Sequence, residues 1–339
     1  MSSSTARSVP RSTAADPAAS DAPVETVYRP RGEVDLRATL GPLRRGAFDP
    51  CLRFDEVGGV WLALRTPVDD QDAPGGVATL YLRAVSGEVR VSAWGSGASV
   101  ALASVPALLG ADDDWSDFDP SAFALLADSA RRNRGLRLTR TGRVLDALAP
   151  AVIEQKITST EAFRAWRVLV SAHGDVAPGP AVQGHPARGP VPLRLAPTAE
   201  QWRRIPSWEW HRAGVDPSRS RTVLLAAQVA PGLERTAALG AGDEVWRRLR
   251  TVNGVGPWTA AETAQRAHGD PDAVSFGDYH LAATMGWALF GEPIDDDALA
   301  EVLEPWRGQR QRVVRLVLAS GFMPPRHGAR MTIQDHRWH

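Results

Sequence analysis

In residues 24–119, apolar and polar side chains alternate with a period of two, which is typical of β-strands with one buried face. Two turn signals, Gly58-Gly59 and Ser86-Gly87, each separate a pair of these alternating runs. The pattern predicts a small antiparallel sheet with strands at residues 52–55, 60–65, 77–83 and 89–94. Helices at residues 99–109 and 120–131 are expected to cover one face of the sheet, the second with Asp119 as its N-cap.

After residue 140 the apolar residues take the spacing of amphipathic helices. Helices are predicted at residues 144–158, 160–173, 243–250, 257–268, 279–290, 295–303 and 305–321. A stretch rich in proline and glycine at residues 174–197 predicts a loop between them. The sequence therefore predicts an α+β protein with an N-terminal antiparallel sheet domain with helices at 24–130, and an all-α domain at 131–323. Disordered tails are expected at 1–23 and 324–339.

A short segment joins two of these predicted helices; its residues are Val252, Asn253, Gly254, Val255 and Gly256. Glycine adopts positive φ at little cost and lets another backbone come close, so the segment is suited to a tight hairpin. A helix that begins at such a turn presents unpaired N–H groups and the positive end of its dipole. A phosphate group is the natural ligand of this arrangement.

The hairpin, together with an aspartate one helix and one loop later, Asp278, resembles the helix-hairpin-helix (HhH-GPD) DNA glycosylase superfamily. In that superfamily an aspartate at this position is catalytic. Members that also nick the DNA strand carry a lysine two residues after the last hairpin glycine, whereas this chain has Trp258 there. The chain therefore resembles the 3-methyladenine DNA glycosylase II branch, which cleaves only the glycosidic bond and uses this tryptophan as a wall of the base pocket.

The resemblance implies a base excision repair enzyme that flips an alkylated purine out of double-stranded DNA and hydrolyses its N-glycosidic bond. It places Glu262 and Tyr279 beside Trp258 at the base pocket. Glu262 stands where the best-known members have a tyrosine, and a second pocket aromatic is replaced near Arg315. The range of lesions is therefore less certain than the bond that is broken.

Two further assignments follow from the resemblance. The corner that contains Gln155 and Lys156 aligns with the wedge that enters the gap left by the flipped nucleotide. Backbone carbonyls of the hairpin in this superfamily hold a Na⁺ or K⁺ ion that bridges to phosphate, and by position these belong to Arg250, Val252 and Val255. No other cofactor is expected, because no histidine, cysteine or carboxylate cluster has the spacing of a catalytic metal site.

The chemistry of an alkylated purine suits a carboxylate at Asp278. The base already carries positive charge, so the protein needs mainly to stabilise the sugar cation and to orient a water molecule. Asp278 is also expected to cap the following helix, which would hold its carboxylate in place. The only lysine of the sequence, Lys156, lies far upstream, so an amine nucleophile is not expected.

The chain has 39 basic and 39 acidic residues, which does not match the strongly basic profile of many DNA-binding proteins. The charges are clustered, however, and the arginines at residues 307–315 on the last helix are expected to face phosphate or solvent. The single cysteine, Cys51, excludes an intrachain disulfide and a four-cysteine iron–sulfur cluster. The sequence shows no secretion signal or membrane span, so a monomeric, cytoplasmic and nucleoid-associated protein is expected.

Two alternatives stay open from the sequence. The first is a glycosylase for deaminated or oxidised bases. The second is a non-catalytic DNA-structure-binding protein that keeps the hairpin. Asp278 at the expected position favours an enzyme, whereas the zero net charge and the altered pocket residues are compatible with a binding protein.

Overall fold

The computed structural model describes residues 22–66, 75–182 and 189–325. The predicted N-terminal tail, except for residues 22 and 23, lies outside the described residues. The same holds for the predicted C-terminal tail after residue 325.

A five-stranded antiparallel sheet with the order β1-β5-β4-β3-β2 forms the first part of the chain. Its strands are β1 (Val24–Tyr28), β2 (Leu52–Phe54), β3 (Val60–Arg65), β4 (Val77–Val85) and β5 (Glu88–Trp94). The four predicted strands are confirmed. The fifth, β1, was missed because it is an edge strand without an alternating buried face: its first four residues are all exposed. It pairs with β5 in a register that puts Thr26 opposite Val91.

Helix α1 lies between β1 and β2, and the other helices follow the sheet. The helices are α1 (Leu36–Leu40), α2 (Ala98–Leu108), α3 (Ala124–Arg132), α4 (Val144–Ile153), α5 (Ser159–His173), α6 (Ala199–Arg204), α7 (Ser207–Ala213), α8 (Pro217–Gln228), α9 (Ala230–Glu234), α10 (Asp243–Leu249), α11 (Pro257–Ala267), α12 (Leu281–Phe290), α13 (Asp296–Leu303) and α14 (Arg310–Ala319). Short 3₁₀ segments lie at Gly41–Leu43, Arg235–Leu239 and Glu304–Trp306. The α+β class predicted from the sequence is confirmed.

Four predicted helices differ by two residues or more at an end. The helix predicted at residues 144–158 ends at Ile153. The helix predicted from residue 120 begins at Ala124, because Asp119 instead accepts the Ser121 N–H at 2.8 Å and holds a turn before it. The helix predicted from residue 279 begins at Leu281. The last predicted helix is divided into the 3₁₀ segment Glu304–Trp306 and α14, since the chain turns at Gly308, whose φ is +87°.

The apolar residues of the described ranges form separate cores, one of which includes the hairpin. One core lies among the helices around α4 and α11 and contains Val252 and Val255 of the hairpin. Another joins α12, α13 and α14 to the segment around α3, including Phe118 and Leu126. This core crosses the predicted domain boundary at residue 130, so the segment before that boundary also supports the helices that follow the hairpin.

The predicted loop at residues 174–197 is partly structured where it is described. Backbone bridges join Val176 to Arg194 and Val182 to Val191. Its buried apolar residues, among them Leu193 and Leu195, pack against Ala63 of the sheet. The described parts of this segment therefore cover the sheet.

Candidate functional site

The hairpin is a tight connection between α10 and α11. The Val255 N–H donates to the Val252 carbonyl at 3.0 Å, and both valine side chains are buried. Gly254 has a φ of +91°, and a Cβ there would lie 2.1 Å from Oγ1 of Thr222 on α8. This position therefore requires glycine both for its backbone conformation and for the close approach of α8.

The turn leaves backbone donors free at the start of α11. Among the described residues, the N–H groups of Gly254 and Gly256 donate no hydrogen bond. Pro257 occupies the first helical position, where the lack of an N–H costs nothing. The free donors and the helix dipole together make this end of α11 suited to a phosphate.

Asp278 lies in the loop between α11 and α12 and is held on both of its oxygens. Its Oδ2 accepts a hydrogen bond from the indole Nε1 of Trp258 at 3.2 Å. Its Oδ1 accepts from the backbone N–H groups of His280 at 2.9 Å and Leu281 at 3.1 Å. The prediction that Asp278 is the N-cap is wrong, because α12 begins at Leu281 and its N-cap is His280. Asp278 instead holds the turn just before this helix. The half-buried carboxylate has a fixed orientation beside the predicted pocket tryptophan.

Glu262 follows Trp258 by one turn on α11, so both side chains lie on the same face of the helix. Its carboxylate accepts the Ser275 hydroxyl at 2.5 Å and pairs with Arg266 at 2.7 Å. Burial favours the neutral form, but Arg266, Ser275 and Arg45 outweigh it and lower the pKa of Glu262. Because the pKa of Glu262 is lowered, its carboxylate is ionised at neutral pH.

Further buried ions surround Glu262. Arg45, from the segment before β2, pairs with Glu154 at the end of α4 at 3.1 Å. Burial raises the pKa of Glu154, although Arg45 opposes the shift. Arg315 on α14 donates to the Ala38 carbonyl at 2.7 Å, and burial lowers its pKa to about 10. Buried side chains of both charges therefore lie around Glu262.

Tyr279, predicted at the base pocket, lies at the surface. Its side chain is 81% exposed, and its ring makes an edge contact with His280 at 4.8 Å between ring centroids. Ser275 is buried and Glu262 is largely enclosed, whereas Tyr279 lies in solvent. The structure brings Trp258, Glu262 and Asp278 together and leaves Tyr279 outside this group.

The predicted wedge residues lie at the corner between α4 and α5. Lys156 is exposed and has a φ of +58°, in the left-handed region that is costly for a residue other than glycine. The Gln155 side chain is engaged instead: its Nε2 donates to the Gly254 carbonyl at 3.0 Å and to Oγ1 of Thr259 at 2.8 Å. The corner is thereby attached to the hairpin, with Lys156 projecting from it.

The sequence predicted that the arginines at residues 307–315 face phosphate or solvent, but Arg312 and Arg315 of α14 are buried. Arg312 is buried in an ion pair with Asp113 at 2.6 Å, and Arg310 pairs with Asp272. Arg315 is buried as described above. Arg307 is exposed and pairs with Glu304 before the helix begins. The sequence shows that these arginines are clustered. Helical periodicity does not reveal their partners Asp113, Asp272 and the Ala38 carbonyl, because these lie far away in the chain.

Sequence reasoning missed several residues that hold the site together. Ser275, Arg266 and Thr222 contact Glu262 or the hairpin directly. Only the four-residue spacing between Glu262 and Arg266 is a signal that the sequence offers. No group of three or more His, Cys, Asp or Glu side chains that could hold a metal ion occurs within the described ranges.

The fold is shared with solved structures. The chain superposes on the 3-methyladenine DNA glycosylase from Archaeoglobus fulgidus with a TM-score of 0.67 over 88% of this chain and 99% of that one, at 15% identity. It superposes on the apo form of the 8-oxoguanine glycosylase/lyase from Clostridium acetobutylicum with a TM-score of 0.63 over 89% and 99% of the two chains, at 11% identity. The chain has the fold of the helix-hairpin-helix DNA glycosylases. The resemblance read from the hairpin and Asp278 is confirmed at this level.

A relative in sequence supports the same conclusion. The chain is 32% identical over 205 residues to a "probable bifunctional transcriptional activator/DNA repair enzyme AlkA" of Mycobacterium tuberculosis. The match covers 57% of this chain and 38% of the relative, so this glycosylase-fold chain spans less than two-fifths of the protein it matches. No family model matches the chain.

Three backbone carbonyls of the hairpin have free lone pairs. Those of Arg250 and Val255 accept no hydrogen bond from the described residues, and that of Val252 accepts one, from the Val255 N–H. Their free lone pairs fit a monovalent cation, which prefers such oxygen ligands.

Within the described ranges no helix is long and apolar enough to cross a membrane.

Proposed function

We propose that the chain is a monofunctional DNA glycosylase of base excision repair that removes alkylated purines, such as 3-methyladenine, from double-stranded DNA. The observation that carries the proposal is the carboxylate of Asp278, fixed by Trp258 and by two backbone N–H groups. The free donors of the hairpin support the same reading, since they suit the phosphate next to a flipped nucleotide. The tuberculosis relative, named as a probable DNA repair enzyme, agrees with it.

The proposed reaction is a hydrolysis. As the bond between the sugar and the purine breaks, its electron pair leaves with the base and positive charge develops on the sugar. Asp278 stabilises that charge and orients a water molecule, whose oxygen forms the new bond to the sugar while one of its protons passes to the Asp278 carboxylate and from there to solvent. A cationic base needs little help from a general acid, so one carboxylate is sufficient for this chemistry.

Two features favour base release without strand cleavage. Trp258 stands where the related bifunctional enzymes have their reactive lysine. The only lysine of the chain, Lys156, is exposed at the corner between α4 and α5, on a different element from Asp278. The hairpin carbonyls would hold a Na⁺ or K⁺ ion as a structural bridge to phosphate. We propose no other cofactor.

When a nucleotide is flipped out of the duplex, a protein side chain is needed to fill the gap that it leaves. Lys156 is exposed and held in a left-handed conformation at the tip of its corner. Such strained residues often occur at functional sites. We assign Lys156 to the wedge and Gln155 to the attachment of that wedge to the hairpin. Extrusion costs a few kcal/mol, least for a damaged base, which itself favours lesions.

The experiment is a comparison of lesions in duplex DNA with the purified chain. Methylated DNA, a hypoxanthine duplex and an 8-oxoguanine duplex are assayed for free base, and strand breaks are assayed before and after alkali. We expect methylated purines to be released and strands to break only after alkali. Release of only hypoxanthine or 8-oxoguanine would instead identify a glycosylase for deaminated or oxidised bases. Tight binding of abasic DNA with no release from any duplex would identify a non-catalytic binding protein.

A further inference from the structure

Trp258 and Glu262 face one loop from successive turns of α11. The Trp258 indole reaches Asp278, and the Glu262 carboxylate reaches Ser275, which is in the same loop. One helical turn is about 5.4 Å, comparable with the width of a purine. A base whose sugar lies beside Asp278 and whose ring lies against Trp258 therefore extends toward Glu262.

The Glu262 carboxylate is held firmly and still has unused acceptor capacity. Ser275 and Arg266 occupy one position on each oxygen, whereas an ionised carboxylate has about four acceptor sites. The side chain remains 13% exposed, so a ligand in the site can reach it. An ionised carboxylate accepts hydrogen bonds and donates none.

Net charge does not select the ligand here. Around Glu262 the structure places Arg45, Arg266 and Arg315, and the carboxylates include Glu154 and Asp278. Buried side chains of both signs thus lie together, with Asp49 a further carboxylate beside Arg45. Glu262 therefore distinguishes ligands by whether they donate a hydrogen bond. An N–H group of the ligand can donate to the carboxylate, whereas a carbonyl oxygen would lie unpaired against it.

We propose that Glu262 is a specificity-determining residue that selects purines with an amino group at the 6-position, such as 3-methyladenine, over purines with a carbonyl there, such as 7-methylguanine. The proposal rests on the proposed glycosylase function and deepens it. The purine edge farthest from the sugar carries the 6-substituent, and Glu262 lies one turn farther along α11 than the contact with Asp278.

Methylated duplex DNA contains both bases, so one reaction gives an internal comparison. The rates of release of 3-methyladenine and 7-methylguanine are measured under single-turnover conditions for wild type and Glu262→Gln. The glutamine keeps the size of the side chain but presents an N–H₂ group that can donate to a carbonyl. We expect the ratio of 3-methyladenine to 7-methylguanine release to fall about tenfold, which corresponds to about 1.4 kcal/mol.

Two variants control the comparison. Glu154→Gln alters another carboxylate of the same charged region, the one paired with Arg45, and should leave the ratio unchanged. Ser275→Ala removes a single anchor of Glu262 and should lower the ratio in the same direction by a smaller factor. It provides the test if Glu262→Gln does not fold, because it leaves the pair with Arg266 intact. Affinity for abasic DNA, which has no base to reach Glu262, should be the same for all variants.

The outcomes separate the two claims. If wild type releases both bases and the Glu262→Gln ratio is unchanged, Glu262 does not set specificity and the glycosylase function stands. If wild type releases neither base, the proposed function fails and the role of Glu262 fails with it. A lowered ratio in Glu154→Gln as large as that in Glu262→Gln would show that general loss of buried charge, and not the hydrogen bond at Glu262, is responsible.

Discussion

The indole Nε1 of Trp258 donates a hydrogen bond to Oδ2 of Asp278 at 3.2 Å, so one residue provides both an aromatic surface and a support for the carboxylate. The second oxygen of Asp278 is held by the backbone at the start of α12. Because both contacts are made within the protein, the carboxylate is oriented before any DNA binds. Preorganised charge of this kind is usually a large contribution to catalysis.

Trp258→Phe should separate the two contributions of the tryptophan. Phenylalanine keeps an aromatic surface for the base but has no N–H to hold Asp278. Hydrogen bonds to charged groups contribute about 1.5–3 kcal/mol, so base release should slow by about tenfold or more. Single-turnover release from methylated DNA measures the effect.

Trp246→Phe is the matched control for that variant. The Trp246 indole also donates to an aspartate, Asp270, at 3.1 Å, but on α10 and away from Asp278. Its loss should affect stability and leave the rate of base release nearly unchanged. Equal slowing by the two variants would show that the indole N–H at Trp258 has no special role.

Gly254→Ala should damage the hairpin. The alanine would need a positive φ and its Cβ would meet Thr222, so unfolding should become easier by about 1–3 kcal/mol or more. DNA affinity should fall with it, because the free N–H of Gly254 would move.

Gly256→Ala is the control, since Gly256 has no positive φ and nothing lies within 4 Å of an added Cβ. Urea unfolding and binding to abasic DNA measure both variants. Equal tolerance of the two substitutions would contradict the requirement for glycine at residue 254.

Lys156→Gly should stabilise the fold while weakening function. Glycine adopts the left-handed conformation of this residue without the cost of roughly 1 kcal/mol that a side chain incurs, so stability should rise by about that amount. Affinity for lesion-containing DNA should fall, because the wedge is removed. Lys156→Ala removes the same amine but keeps the backbone strain, so it should weaken DNA binding without any gain in stability. Unchanged DNA affinity in both variants would rule out the wedge.

Arg312→Ala should be strongly destabilising, because it leaves Asp113 buried without its partner. The two side chains are only 7% and 4% exposed, and removing one member of such a pair costs about 3–5 kcal/mol. Arg307→Ala removes an exposed member of the pair with Glu304 and should change the denaturant midpoint little. If Arg312→Ala instead weakened DNA binding and left stability intact, the arginines of α14 would be phosphate ligands after all.

The parts of the fold that sequence predicted are those set by local chemistry. The alternating strands, the glycine turn before Pro257 and the aspartate after it depend on neighbours in the chain, and the structure has all of them. Strand β1 was not predicted, because an edge strand buries few side chains and so shows no clear alternation of apolar and polar residues. The charges around Glu262 could not be predicted, since Arg45 and Arg315 approach from segments far away in sequence.

The most direct test of the account is the release of free base from methylated duplex DNA by wild type and by Asp278→Asn. Asparagine keeps the size of the side chain, and its one carbonyl oxygen can still accept the backbone N–H groups at the helix start. It carries no negative charge, and its N–H₂ group cannot accept the hydrogen bond from Trp258. The account predicts that wild type releases 3-methyladenine, and that Asp278→Asn binds the same DNA and releases almost none. Equal release by the two proteins would contradict the role of the carboxylate, and no release by either would contradict the proposed activity.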